Sequence, residues 1–172
     1  MNENFKIKLK RIRCFIFDVD GVLTNGMLIV MPDELFRTMN IRDGYALKEA
    51  IVAGYLVAII SGGKSESVKK RLANLGVNDV FLGVENKMDK LEEIKSLYKL
   101  ADEEILFMGD DLPDYEVMRK AGVACCPADS VSEIKSISDY ISPVRGGYGC
   151  VRDVIEQVMR LHGKWPGTIM TA

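Results

Sequence analysis

Histidine is nearly absent from this sequence, since among 172 residues only His162, close to the C-terminus, carries an imidazole. Chemistry in the body of the chain must therefore proceed without a histidine base or a histidine metal ligand. Cysteine is also scarce, and the four cysteines include no CxxC pair. This pattern argues against a disulfide framework and against a zinc site, and it fits a reducing cytosolic compartment.

Long apolar runs and a strong charge imbalance are missing as well. No run approaches the length of a membrane span, and the opening MNENFKIKLKRIR leads into a strand without the apolar core of a signal peptide. The formal net charge is −2, which gives no reason to expect nucleic acid or a polyanionic surface as partner. We expect a cytoplasmic protein that acts on a small molecule, with neither a nucleic-acid nor a membrane partner.

Short apolar runs alternate with amphipathic segments along the chain. The strand candidates are CFIF (14–17), YLVAII (55–60), DVFLG (79–83), ILFMG (105–109), VACC (123–126) and YIS (140–142). The segments between them have the apolar spacing of helices, and SVSE at 130–133 has the spacing of a capping box. This alternation predicts one α/β domain over residues 1–172, a three-layer sandwich in which helices cover both faces of a mainly parallel sheet.

Residues 26–40 interrupt the alternation. Their sequence, GMLIVMPDELFRTMN, predicts a β-hairpin that turns at Pro32-Asp33 and holds more Met, Leu, Ile and Phe than a solvated hairpin needs. The hairpin either covers the domain's own core or packs against another subunit. We favour the second interpretation, because an apolar hairpin projecting from a compact domain marks a partner surface.

Acidic residues follow two of the predicted strands. They are Asp18 and Asp20 after the first strand, and Asp110, Asp111 and Asp114 after ILFMG. An Asp-Gly turn would explain Asp20 but not Asp18. The carboxyl ends of parallel strands share one edge of the sheet, where ligands bind. Because clustered carboxylates repel one another, a hard divalent cation is predicted, and oxygen ligands favour Mg²⁺.

A phosphate-binding turn is predicted at the same edge. Ser61, Gly62 and Gly63 follow YLVAII, and their hydroxyl and backbone N–H groups can donate to phosphoryl oxygens at a helix N-terminus. Lys87, expected at the start of the next helix, supplies a point positive charge. A carboxylate, a metal and these donors together predict a phosphoryl-transfer site.

Two aspartates separated by one residue suit two different roles in such a site. Asp18 can attack phosphorus and form an aspartyl-phosphate, while Asp20 can protonate the leaving oxygen and later deprotonate the attacking water. The pattern DxDG alone is weak evidence for a phosphoryl-transfer site. The joint occurrence of all the pieces, each at the end of a predicted strand, is strong evidence for it.

These pieces resemble the four motifs of the haloacid dehalogenase superfamily. DVDGVLT matches the first motif, Ser61 the second, Lys87 the third and GDDLPD the fourth. The resemblance implies a nucleophilic Asp18 and an acid/base Asp20. It also implies that the Asp18 carboxylate, the Asp20 backbone carbonyl and Asp110 bind Mg²⁺, with Asp111 and Asp114 in support.

A narrower resemblance is to the 3-deoxy-D-manno-octulosonate 8-phosphate (KDO 8-phosphate) phosphatase family of lipopolysaccharide biosynthesis. It rests on DVDGVLT, the hairpin, NIRDGYALK, the lack of a large insertion before Ser61, and GGYGCVRD. The resemblance implies a domain without a cap and a homotetramer with the hairpins at its centre. It also implies that the C-terminal tail, residues 163–172, reaches toward an adjacent site, the alternative being a frayed terminus.

The sugar-binding residues implied by this resemblance are Arg42 and Asp43, and a helix-start turn with an exposed ion pair is the alternative. Family members often carry TGR where this chain has Ser61, Gly62 and Gly63. The missing arginine leaves two related substrates open, KDN 9-phosphate and N-acylneuraminate 9-phosphate.

Two functions of other classes fit the sequence less well. Similar domains fused to nucleotide-sugar synthetases act as non-catalytic tetramerisation modules, but assembly alone would not require Asp18, Asp20, Lys87 and Asp110. A phospho-receiver also uses acidic residues and a lysine on a parallel sheet. Receivers place adjacent acids after strand one and the phosphorylated Asp after a later strand, which the DxD spacing does not fit.

Overall fold

Eight strands and seven helices make up the computed structural model, which describes residues 4–32 and 35–167. The strands are β1 (Cys14–Phe17), β2 (Ile29–Val30), β3 (Leu35–Phe36), β4 (Leu56–Ser61), β5 (Asp79–Leu82), β6 (Ile105–Met108), β7 (Val123–Cys126) and β8 (Tyr140–Ile141). The helices are α1 (Phe5–Leu9), α2 (Ile41–Val52), α3 (Glu66–Asn74), α4 (Lys87–Tyr98), α5 (Tyr115–Lys120), α6 (Ser132–Ile137) and α7 (Cys150–Leu161).

Six of these strands form one parallel sheet in the order β5-β4-β1-β6-β7-β8. Each coincides to within a residue with an apolar run predicted to be a strand. The central strands β1, β6 and β7 are buried along their whole length, because helices cover both faces of the sheet. The predicted α/β three-layer sandwich is confirmed.

Alternate side chains of the strands pack into two separate hydrophobic cores, one on each face of the sheet. Phe15 and Phe17 of β1 face the layer of α2, α3 and α7, whereas Cys14 and Ile16 face the layer of α4, α5 and α6. This two-residue period is that of any strand, whose successive side chains point to opposite faces. The sheet is therefore held rigidly from both sides, and its carboxyl edge is a fixed platform for side chains.

One helix was not predicted, and one local prediction was wrong. The N-terminal segment forms α1 before β1, capped by Asn4 and packed through Phe5, which stacks on Tyr140 at 4.9 Å. The capping box at 130–133 does not form, because α6 begins at Ser132 and the Ser130 hydroxyl donates to the Pro127 carbonyl at 2.9 Å. In both places a contact with the sheet layer or the preceding loop outweighs the local pattern.

The predicted hairpin lies between β1 and α2. Antiparallel β2 and β3 pair Ile29 with Phe36 and Val30 with Leu35, and Asp33 of the predicted turn lies outside the described residues. Seven large apolar side chains of this segment are exposed, and we call them the apolar hairpin surface: Met27, Leu28, Ile29, Val30, Met31, Leu35 and Phe36. The hairpin therefore does not use these side chains to cover the chain's own core.

The described part of the tail is anchored. Trp165 is buried, with its ring edge-on to Tyr45 at 6.2 Å and the Arg152 guanidinium 5.3 Å from its centroid. The rest of the predicted tail, residues 168–172, lies outside the described residues. None of the helices in the described ranges is both long enough and apolar enough to cross a bilayer.

Candidate active site

A wide turn after β1 presents the two aspartates. The Asp18 backbone N–H donates to the Met108 carbonyl at 3.1 Å, which extends the pairing of β1 with β6 to the edge of the sheet. Residues Val19–Leu23 then form the turn, with Gly21 in the left-handed region at φ +86°. A Cβ at Gly21 would also overlap the Asp110 carboxylate. Glycine is thus required here both by the backbone and by the approach of Asp110.

Lys87 bridges two of the acids. Its Nζ lies 2.9 Å from Asp18 Oδ1 and 2.6 Å from Asp114 Oδ1, and all three side chains are buried. The other oxygen of Asp114 accepts a hydrogen bond from the Asp110 backbone N–H at 3.1 Å. Asp114 therefore fixes both the lysine and the loop that carries Asp110. Lys87 is the first residue of α4, as predicted, and Asn86 caps that helix.

Burial and mutual repulsion shift the pKa values within this group. Burial, together with the neighbouring Asp114, raises the pKa of Asp18 to about 6 against the opposing effect of Lys87. Burial, followed by repulsion from Asp18 and Asp114, raises the pKa of Asp110 to about 8. Burial lowers the pKa of Lys87, but Asp18 and Asp114 outweigh it and raise the pKa overall. One ammonium does not neutralise three carboxylates.

The donor set fits a hard divalent cation. Ligand atoms of Asp18, Asp110 and Asp114 all lie within 4.8 Å of one another. Both oxygens of Asp114 are already engaged, by Lys87 and by the Asp110 N–H. Asp18 and Asp110 therefore remain as the carboxylates available to a metal, and two carboxylates with water and phosphate oxygens suit Mg²⁺.

The predicted phosphate turn lies across the edge of the sheet from this cluster. Ser61 ends β4, and its Oγ accepts a hydrogen bond from the Gly63 N–H at 3.3 Å. One part of the prediction was wrong. Helix α3 begins only at Glu66 and is capped by Ser65, so the N–H groups of Gly62 and Gly63 do not belong to its first turn.

A further residue, Arg37, escaped the sequence analysis. It follows β3, and its guanidinium grips the Asp20 carboxylate with two hydrogen bonds, from Nε at 2.7 Å and from Nη2 at 3.1 Å. The Thr24 hydroxyl also donates to Asp20, at 3.3 Å. The available signal was that Arg37 is the only cation in the apolar segment 26–40.

Arg42 and Asp43 are not brought to the cavity described below. Asp43 is buried, and its Oδ1 accepts a hydrogen bond from the Arg152 N–H at 2.7 Å, in the first turn of α7. Burial, opposed by hydrogen bonds from the start of α7, raises the pKa of Asp43 to about 6. Arg42 is exposed on the first turn of α2. The Asp43 carboxylate therefore links α2 to the first turn of α7 through this hydrogen bond.

The remaining predicted residues line one cavity of about 840 Å³ that opens to solvent. They are Asp18, Asp20, Ser61, Gly62, Gly63, Lys87, Asp110, Asp111 and Asp114. Asp111 is exposed and caps the short turn Leu112–Asp114, accepting from the Leu112 N–H at 2.7 Å. The four strand ends therefore converge on one space that can hold a phosphoryl group.

The GGYGCVRD segment packs against the backbone of the turn after β1. A Cβ at Gly146 would overlap the Gly21 carbonyl, and the Gly147 N–H donates to the Val22 carbonyl at 2.9 Å. The Cys150 thiol donates to the same carbonyl at 3.3 Å. The two glycines allow the loop before α7 to lie directly against the active-site backbone.

Known proteins share this architecture. Residues 79–151 match the haloacid dehalogenase-like hydrolase family. The chain is also 35% identical over 158 residues to the 3-deoxy-D-manno-octulosonate 8-phosphate phosphatase of Escherichia coli (strain K12), covering 91% of this chain and 84% of that protein. This chain belongs to the KDO 8-phosphate phosphatase family.

Solved structures of the KDO 8-phosphate phosphatase family superpose closely. The enzyme from Yersinia pestis is 28% identical, with a TM-score of 0.93 over 97% of this chain and 91% of that one. The enzyme from Moraxella catarrhalis, solved in complex with a magnesium ion, a phosphate ion and KDO, is 30% identical with a TM-score of 0.88, covering 91% of each chain. The membership of the haloacid dehalogenase superfamily predicted from the motifs is confirmed.

Proposed function

We propose that this chain is a Mg²⁺-dependent phosphatase that hydrolyses KDO 8-phosphate to KDO and inorganic phosphate. The observation that carries the proposal is the buried Lys87, which joins Asp18 and Asp114 in the lining of a cavity that Asp20 and Asp110 also line. The Escherichia coli relative is named for this substrate, and the Moraxella catarrhalis relative was solved with Mg²⁺, phosphate and KDO. These matches support the same reaction here.

In the first step of the proposed reaction, an Asp18 oxygen attacks phosphorus. The bond between phosphorus and the sugar oxygen breaks, and Asp20 gives its proton to that oxygen so that the sugar leaves as an alcohol. Lys87 lies 2.9 Å from Asp18 and balances charge on the attacking carboxylate and on the phosphoryl oxygens.

In the second step, water attacks the phosphorus of the aspartyl-phosphate. The bond to Asp18 breaks, Asp20 takes a proton from the water, and phosphate leaves. Both steps therefore use Asp20 in opposite protonation states, as an acid first and as a base second. Ser61 and the N–H of Gly62 are proposed to hold the phosphoryl oxygens, since they line the same cavity.

Mg²⁺ would be held by the carboxylates of Asp18 and Asp110 together with the backbone carbonyl of Asp20. Bound there, it would neutralise the clustered carboxylates and the charge that develops on the phosphoryl group. Asp114 is proposed to position Lys87 and Asp110 instead of binding the metal, because both of its oxygens already have partners.

The apolar hairpin surface is proposed to assemble the chain into a homotetramer in the cytoplasm. Seven exposed apolar side chains on so small an element support this, because soluble monomers rarely leave such a patch uncovered. Arg42 is exposed and does not line the cavity of its own chain, so we propose that it contributes to sugar binding only in the assembly. Asp43 is proposed to act through the fold alone.

Gly63 stands where family members often carry an arginine, and this departure keeps KDN 9-phosphate and N-acylneuraminate 9-phosphate as alternative substrates. The deciding experiment measures phosphate release with Mg²⁺ from all three esters. We expect kcat/KM to be highest for the eight-carbon KDO 8-phosphate. A higher value for a nine-carbon ester would move the assignment to that substrate, and inactivity on all three would favour the non-catalytic tetramerisation module.

A further inference from the structure

Asp20 has to move a proton in both steps, yet its side chain is one of the more open groups of the site. It is 35% exposed, whereas the Arg37 side chain that holds it is only 6% exposed. An aspartate with that much solvent contact has rotational freedom unless something fixes the plane of its carboxylate. Arg37 provides this restraint from the hairpin, an element separate from the turn after β1 that carries Asp20.

The contact has the geometry of an orienting clamp. Nε and Nη2 of Arg37 reach different oxygens of Asp20, at 2.7 Å and 3.1 Å. A two-pronged guanidinium contact sets both the position and the plane of a carboxylate, which a single point charge does not. The remaining nitrogen, Nη1, donates to the Leu35 carbonyl at 3.4 Å and ties the guanidinium to the strand β3.

The contact between Arg37 and Asp20 lies beside Gly63 and uses space that a side chain at position 63 would fill. The φ of Gly63 is not in the left-handed region, so its backbone conformation alone does not require glycine. A Cβ at position 63 would lie 2.9 Å from Asp20 Oδ2 and 3.2 Å from Arg37 Nη2. Both distances are tighter than ordinary contacts, and the atoms displaced would be those of the clamp.

We propose that Arg37 is a positioning residue that orients Asp20 for proton transfer to the leaving group, and that Gly63 is glycine in order to admit its guanidinium. The proposal rests on the phosphatase activity proposed above. It makes the hairpin part of the catalytic apparatus, since the residue after β3 sets the geometry of the acid on the turn after β1. It also gives a physical reason for the departure at Gly63.

The test uses two aryl esters that differ in their need for an acid. p-Nitrophenolate leaves without a proton, whereas phenolate is a poorer leaving group and benefits from one. We expect Arg37→Met to lower kcat/KM for phenyl phosphate at least 10-fold more than for p-nitrophenyl phosphate, because kcat/KM reports the first step, in which the phenyl ester needs the acid far more. Arg119→Met, on the exposed face of α5, is the matched control and should leave both values unchanged.

Two further variants keep the test decisive. Arg37→Lys retains the positive charge but not the two-pronged contact, so it should show the same selective loss of kcat/KM for phenyl phosphate, though a smaller one. If Arg37→Met does not fold, Arg37→Lys tests the proposal in its place. In an Asp20→Asn background, Arg37→Met should cause no additional selective loss, because the acid that it orients is gone.

Equal losses on both esters would overturn the proposal, since a structural or phosphate-binding role predicts them. The proposal would also be overturned if the ratio of the two kcat/KM values stayed that of the wild type, or if kcat/KM for phenyl phosphate increased. Because the ratio is measured on aryl esters, it does not depend on the sugar. A wild-type protein that hydrolyses both aryl esters but not KDO 8-phosphate would refute the substrate and leave the role of Arg37 to be decided by the ratio.

Discussion

The Asp114 carboxylate lies 2.6 Å from the Lys87 ammonium and holds it against Asp18. Asp114 comes from the loop after β6, whereas Lys87 begins α4. The contact therefore joins two of the four strand-end segments, and it is buried. We infer that Asp114 acts on the reaction through the position of Lys87.

Replacing Asp114 by Asn tests this relationship. The variant should lower kcat about 10- to 100-fold, as loss of an oriented electrostatic contact does, with a smaller effect on KM. Steady-state phosphate release measures the change. Asp89→Asn, an exposed change on the same helix as Lys87, is the matched control and should retain wild-type kcat. Wild-type activity in Asp114→Asn would contradict the inferred role.

Replacing Asp18 by Asn removes the proposed nucleophile. We expect phosphate release to fall to background, while the circular dichroism spectrum and the oligomeric state remain those of the wild type. Asp20→Asn should also lose most of its turnover, leaving a slow residual rate. The assignment of Asp18 would fail if the Asp18→Asn protein kept full activity, since an amide does not form the aspartyl-phosphate.

Stability without metal should fall as pH rises. The folded-state pKa values of Asp18 and Asp110 are raised to about 6 and about 8, above the ordinary value of 3.8. The folded chain therefore holds protons that the unfolded chain has lost, and this contribution to stability disappears as pH rises through 6 and then 8. Thermal melts in EDTA from pH 5 to pH 9 measure the effect.

Mg²⁺ should reverse this trend, because it binds the ionised carboxylates and replaces the protons. The increase in melting temperature on adding Mg²⁺ should grow over the same pH range, and EDTA should stop turnover until Mg²⁺ is returned. A Mg²⁺ effect that stays constant with pH, or an Asp110→Asn variant that keeps it, would show that the metal does not bind at these carboxylates.

The apolar hairpin surface should control assembly. Val30 is 75% exposed on β2, and we expect Val30→Lys to convert the proposed tetramer into smaller species without loss of helix content, because it places charge in the proposed interface. Val52 on α2 is 74% exposed outside the hairpin, so Val52→Lys is the matched control. Sedimentation of the wild type as a monomer at micromolar concentration would refute the assembly.

The strands and most of the site were predictable because their causes are local. A strand buried on both faces needs a continuous apolar run, so CFIF and VACC identify β1 and β7. Parallel strands end at one edge, so the residues after each run were expected to meet, and Asp18, Ser61, Lys87 and Asp110 do line one cavity.

Contacts with distant segments lie beyond the reach of local patterns. The Asp43 carboxylate accepts the N–H of Arg152, which is 109 positions away. The residues next to Asp43 carry no sign of its contact with Arg152. The capping box predicted at Ser130 is a different case, because the Ser130 hydroxyl donates to the Pro127 carbonyl, three positions earlier, instead of capping α6.

The sequence by itself determined the α/β alternation and placed two aspartates and a lysine at strand ends. These features follow from the period of side chains along an element and from the shared direction of parallel strands. Only the tertiary structure decided that Asp114 holds Lys87, that Arg37 grips Asp20, and that Gly63 makes room for Arg37. Those contacts depend on how the hairpin and the loop after β6 fold back on the sheet, which no short stretch of sequence encodes.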